Sequence, residues 1–111
     1  MKSLKIRFKI LGKVWILKLL PKKKFNDKYS ARFLAVTEVD KRRIIAKLSG
    51  IDKETLVHEL VHAYIGELCI HSMTLDHDNF EEFMAELVSK RGKEILVLGK
   101  HLSTKAQKLV S

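Results

Sequence analysis

The chain is expected to fold as α+β, with helices on one face of a mostly antiparallel N-terminal sheet. Two observations point there. The first half holds short segments that alternate apolar and polar residues, the period of a strand, and the second half holds apolar residues three and four apart, the period of a helix. Strands therefore come first and helices second. At 111 residues the chain suits one domain with a single modest core.

Residues 4–10 alternate Leu4, Ile6, Phe8 and Ile10 with Lys5, Arg7 and Lys9, which predicts a half-buried strand. Leu11, Gly12 and Lys13 turn it back into a second strand over 14–20. Pro21 and the lysine-rich residues 22–28 read as a loop. Residues 31–37 and 43–48 read as two further strands, joined as a hairpin by 38–41. Asp52 or Ser49 is placed to cap a helix that begins near Lys53, with Glu54 in its first turn, and runs to about Ile70. A polar loop over 71–78 follows. A second helix is expected over 79–91, capped by Asp78 or Asn79 and ended by Gly92. Residues 94–98 are a short apolar stretch, and the tail from Lys100 is polar and weakly amphipathic.

The bulk composition excludes several classes. Hydrophobic content of 46% is ordinary for a globular protein. The longest apolar runs, 14–17 and 95–98, are far too short to span a membrane. Cations interleave the apolar residues of 4–20, which does not fit a signal peptide, so the cytoplasm is the expected compartment. Cys69 is the only cysteine, so no intramolecular disulfide can form. It reads as a small apolar residue near the end of its helix. A net charge of +9 invites a nucleic-acid partner. The lysines are scattered, however, and the clusters at 22–24 and 41–43 fall at expected turns. Solvated turns are therefore favoured over a phosphate-binding patch, and a monomer without a membrane partner is expected.

The most constraining feature is His58-Glu59-Leu60-Val61-His62, a match to H-E-x-x-H. On a helix, His58 and His62 share one face and can converge on one Zn²⁺. Glu59 is then the candidate general base for a water at the metal, acting on a peptide or protein substrate. Apolar residues at 56–57, 60–61, 64–65 and 68 surround the motif, which predicts a largely buried helix. Two histidines and a glutamate there would be costly unless satisfied. The competing reading is a pair of solvated or core-satisfied histidines.

A catalytic zinc needs a third protein ligand. In the second helix Phe80, Phe83, Met84, Leu87 and Val88 share one face, and Glu81 borders it. Glu81 is therefore the favoured ligand and Glu82 the runner-up. Glu86 lies further round, and His71 and His77 compete from the preceding loop. Tyr64 reads as a packing residue, and no residue stands out as an oxyanion stabiliser, with His77 and His101 the remaining candidates.

HELVHAY followed by a glutamate on the next helix resembles the gluzincin metallopeptidases. The short length, with strands before the motif and little after it, is most similar to the minigluzincins. It also resembles ImmA/IrrE-like and phage-borne metallopeptidase domains. The resemblance covers about residues 1–98, with specific matches only at 58–64 and 80–88. It implies a small zincin-like domain and a zinc-dependent peptidase with His58, His62 and Glu81 as ligands and Glu59 as base. Gluzincins often place their glutamate 19 or 20 residues after the second histidine, which fits Glu81 (81 − 62 = 19) and Glu82 (82 − 62 = 20) equally. Many also carry an acidic residue four positions after the ligand. From Glu82 that is Glu86, whereas from Glu81 it is Ala85, and another group must then orient His58. Minigluzincins are latent, which implies that the tail, 99–111, can lie in the cleft as an inhibitor.

Overall fold

The computed structural model describes residues 4–69 and 77–110. It is a small α+β domain. Strands β1 (Leu4–Ile10), β2 (Lys13–Leu20), β3 (Ala35–Glu38) and β4 (Arg43–Lys47) form one sheet in the order β1-β2-β4-β3. Pairs β1–β2 and β3–β4 are antiparallel, but β2–β4 is parallel, so the sheet is mixed. A parallel pair needs a crossover, and residues 21–42 supply it. Helices α1 (Lys22–Lys28), α2 (Lys53–Cys69) and α3 (His77–Val110) complete the fold. Among the described residues no helix is long and apolar enough to cross a membrane.

Alternation in β1 and β2 sends Ile6, Phe8, Ile10, Trp15, Leu17 and Leu19 to the face that packs on α2 and α3. Lys5, Arg7 and Lys9 stand on the opposite, exposed face. The turn between the strands has φ 50° at Leu11 and 81° at Gly12. Two consecutive positive φ values belong to the tight turns whose twist matches a hairpin, and Gly12 meets that demand without a Cβ penalty.

Three expected elements differ. The strand expected over 31–37 is the shorter Ala35–Glu38. The loop expected at 22–28 is helix α1. Its only apolar residue, Phe25, is fully buried with Leu20 and Ile45 in a small second core. Buried Lys47 pins the segment: its Nζ donates to Asn26 Oδ1 and to the Ala31 carbonyl, both at 3.0 Å, and lies 5.4 Å from the Phe25 ring centroid. The helix expected to stop at Gly92 instead runs unbroken through the expected tail to Val110. Leu87, Ile95, Leu102 and Ala106 form one buried stripe across Gly92, and that stripe outweighs the ~1 kcal/mol helix cost of a glycine.

One polar cluster ties α2 to the sheet. Glu67, 3% exposed, accepts from Trp15 Nε1 at 2.7 Å and from Arg42 Nε at 2.5 Å. Burial alone would push its carboxyl up, but Arg42 and the indole N–H outweigh burial and hold it below the ordinary range. Because its folded value lies below its unfolded value, Glu67 stabilises fully above the ordinary glutamate value, ~4.3. That contribution is lost as pH falls through the lower folded value. Glu67→Gln is expected to cost about 1–3 kcal/mol at pH 7 and to flatten the stability loss below pH 4. Urea unfolding at pH 7 and pH 3.5 measures both effects, and equal free energies for both proteins at pH 7 would rule the cluster out as a stabiliser.

Candidate active site

Of the two expected caps for α2, Asp52 is the one used. Its Oδ1 accepts from Thr55 N–H at 2.8 Å and its Oδ2 from the Thr55 hydroxyl at 3.1 Å. From this start, Leu56, Leu60, Ala63, Tyr64 and Glu67 face the core. His58 and His62 point the other way and are exposed. The expected burial cost therefore does not fall on the histidines. It falls on Glu59, which is 7% exposed.

The imidazoles of His58 and His62 lie edge to face, with ring centroids 4.9 Å apart and planes at 73°. Zinc-bound imidazoles at ~2.0–2.1 Å place each centroid about 3.2 Å from the metal, so a tetrahedral pair has centroids about 5 Å apart. The observed centroid separation is of that size.

The Glu59 carboxylate is held from the sheet. Thr37 Oγ1 donates to Glu59 Oε1 at 2.8 Å, with the Glu59 carbonyl 3.2 Å away. Thr37 was not singled out in the sequence. The signal was present but faint: alternation puts Thr37 on the same face as buried Ala35, a polar residue at a core-facing position. β3 is an edge strand, so alternate backbone groups face away from β4. Two adjoining depressions follow β3 and share Phe33, Ala35, His58 and Glu59. One also touches Arg32, Leu34, Glu54 and Thr55, and the other touches Thr37, Val39, His62, Ile65 and Gly66. Together they form a groove between α2 and the free edge of the sheet.

No protein-family model, curated protein or solved structure matches the chain.

Glu81 is not brought to the histidines. It is exposed in α3, as are Glu82 and Glu86. Val57 and Val61 of α2 face Met84, Leu87, Val88, Gly92, Ile95 and Leu96 of α3. At Gly99 the helices are so close that an added Cβ would lie 2.4 Å from Val57 Cγ2. Glu81 is 18 residues before Gly99 (99 − 81 = 18), about 27 Å along a straight helix. The physical reason is that α3 packs on the Val57–Val61 flank of α2, while His58 and His62 line the groove on the β3 side. Among the described residues no three His, Cys, Asp or Glu side chains gather as a metal-binding group. His71 and the side chains of His77 and Cys69 lie outside the described residues.

The remaining candidates face elsewhere. Tyr64 is 1% exposed and its hydroxyl donates to Glu94 of α3. Burial, and then that bond, push its phenol above the ordinary value. His101 is exposed on α3 and lines a separate depression with Lys9, Tyr64, Lys93 and Glu94.

Proposed function

We propose that the chain is a zinc-dependent peptidase. The observation that carries this reading is a pair of histidines at metal-sharing distance, beside a buried glutamate, in a groove that follows an edge strand. His58 and His62 would hold the metal. When bound, zinc supplies a Lewis acid that polarises the scissile carbonyl and lowers the pKa of water. Glu59 takes the proton from the attacking water and returns it to the leaving amine. The Thr37 hydroxyl fixes the Glu59 carboxylate in one orientation, which reduces the motion needed at proton transfer. The free edge of β3 holds an extended peptide by strand addition. β4 is internal and already paired on both sides, so it has no free edge to offer.

Glu81 serves as third ligand only if the first turns of α3 fold back over α2. Gly92 is where such a break costs least, because the glycine is the weakest helix former in the stretch. Without that rearrangement the site is a two-histidine centre. A second reading, metal binding without hydrolysis, is favoured by the same distance.

Metal analysis of the purified protein is expected to find about one Zn²⁺ per chain, lost in His58→Ala and in His62→Ala. Glu81→Ala should lower zinc affinity more than Glu82→Ala if α3 breaks, and neither should change it if α3 stays whole. Unchanged zinc content in both histidine variants would end the zinc reading. Zinc retained with no cleavage of any peptide in a mixed library would leave the second reading.

A further inference from the structure

The face of the sheet turned away from α2 carries a dense array of cations. Lys5, Arg7 and Lys9 project from β1 in one row, successive residues about 6.7 Å apart at ~3.3–3.4 Å rise. Lys18 of β2 stands directly opposite Lys5 across the β1–β2 ladder. Like charges at directly opposed positions destabilise a sheet. Neither β1 nor β2 contains an acidic residue to relieve them. Lys24 and Lys28 of α1 extend the array, and Asp27 is the only acid on that helix. The ammonium of Lys18 is held below the ordinary lysine range, first by burial and then by Lys5, Arg43, Lys28 and Lys24. Arg43 is already paired with Glu38. Among the described residues Lys5, Arg7, Lys9 and Lys18 form no ion pair.

We infer that this outer sheet face, with the lysines of α1 at its margin, binds the phosphate backbone of duplex nucleic acid. Charge complementarity argues for a polyanion, and the row of evenly spaced cations suits one with regularly repeated charge. The other outward residues of β1 and β2 are Val14, Ile16 and Leu20, the last covered by Phe25, so these strands offer no aromatic platform on which bases could stack. Contacts therefore fall on phosphates and carry no sequence preference. The sequence favoured solvated turns because the cations of β1 and the distant Lys18 look scattered until strand pairing puts them on one face. This surface lies opposite the α2 groove, so the inference stands independently of the peptidase reading.

The test is fluorescence anisotropy of the full chain with a 20-base-pair duplex DNA of arbitrary sequence, at 50 and 200 mM salt. Six phosphate contacts predict an affinity loss of about 10³ between those salts. Combining Lys5→Gln, Arg7→Gln, Lys9→Gln and Lys18→Gln should weaken binding at 50 mM by more than 10-fold and lower the salt slope by about 3 to 4. The comparison protein removes equal charge elsewhere: Lys53→Gln, Lys93→Gln, Lys100→Gln and Lys105→Gln. It should bind within a few-fold of the parent. Circular dichroism checks that both remain folded. If the first does not, Arg7→Gln and Lys9→Gln singly should each weaken binding several-fold. No binding at 50 mM salt, equal losses in the two quadruple variants, or unchanged binding in both single variants would overturn the inference. So would tighter binding to phosphatidylserine vesicles than to DNA, which would make the face a membrane contact.

Discussion

Glu59→Gln is expected to leave the fold and bound zinc in place while peptide hydrolysis falls by about 10²-fold or more, the scale of a lost general base. The substitution keeps the size of the side chain and an oxygen that can accept from Thr37 Oγ1, now 2.8 Å away. What it removes is the ability to take a proton. Glu59 is 7% exposed, so an alanine would also open a void and confuse lost packing with lost chemistry. The measurement is initial rate on a cleaved peptide beside zinc content and thermal unfolding for parent and variant. Cleavage by Glu59→Gln at the parent's rate, with zinc unchanged, would remove Glu59 from the reaction.

How far the sequence could be read follows from the range of the interactions involved. The strands β1 and β2, their turn and the start of α2 rest on contacts between near neighbours. Alternation sorts Leu4, Ile6, Phe8 and Ile10 from the cations, and Asp52 caps the adjoining helix through the Thr55 N–H three residues on. The motif was legible for the same reason: four residues on one helix decide whether His58 and His62 can meet. Helix α1 was not legible, because seven residues with one apolar side chain show no period. Its helicity depends on Phe25 meeting Leu20 and Ile45 and on Lys47 reaching back to Asn26. Thr37 and Glu59 are 22 residues apart, and only the closing of α2 onto β3 joins them.

The second helix failed in an instructive way. Gly92 has the propensity of a stop, and helix phase alone puts Glu81 at the border of the apolar face. Phase around a helix, however, says nothing about position along it. Nor does it say which flank of the neighbouring helix is met: α3 packs along Val57 and Val61, whereas His58 and His62 line the groove beside β3. Val88, expected on the buried face, is 65% exposed for a related reason: the buried stripe runs through Leu87 and Ile95.

Removing residues 100–111 is expected to destabilise the whole domain by about 3–5 kcal/mol. The tail, read from the sequence as polar and given an inhibitory role only by the resemblance, is the last third of α3, and Leu102, Ser103 and Ala106 are buried. Leu102 and Ala106 belong to the main core, with Trp15, Leu17 and Leu60. Burying a leucine side chain contributes about 1.5–3 kcal/mol, and a buried methyl or methylene adds ~0.8 kcal/mol. Cutting the helix also exposes the core residues it covers. Against a typical total of 5–15 kcal/mol, that loss would leave a substantial unfolded population. Leu102→Ala makes the same point with one side chain and should cost about 2–5 kcal/mol in urea unfolding. An inhibitory tail predicts the opposite pattern, in which truncation after Gly99 leaves stability and zinc content unchanged and raises peptide cleavage. His101 would have to reach the groove for that, yet it sits with Lys9 and Glu94 in another depression. A truncated chain that unfolds at the parent's urea midpoint and cleaves faster would show that the tail covers the site and not the core.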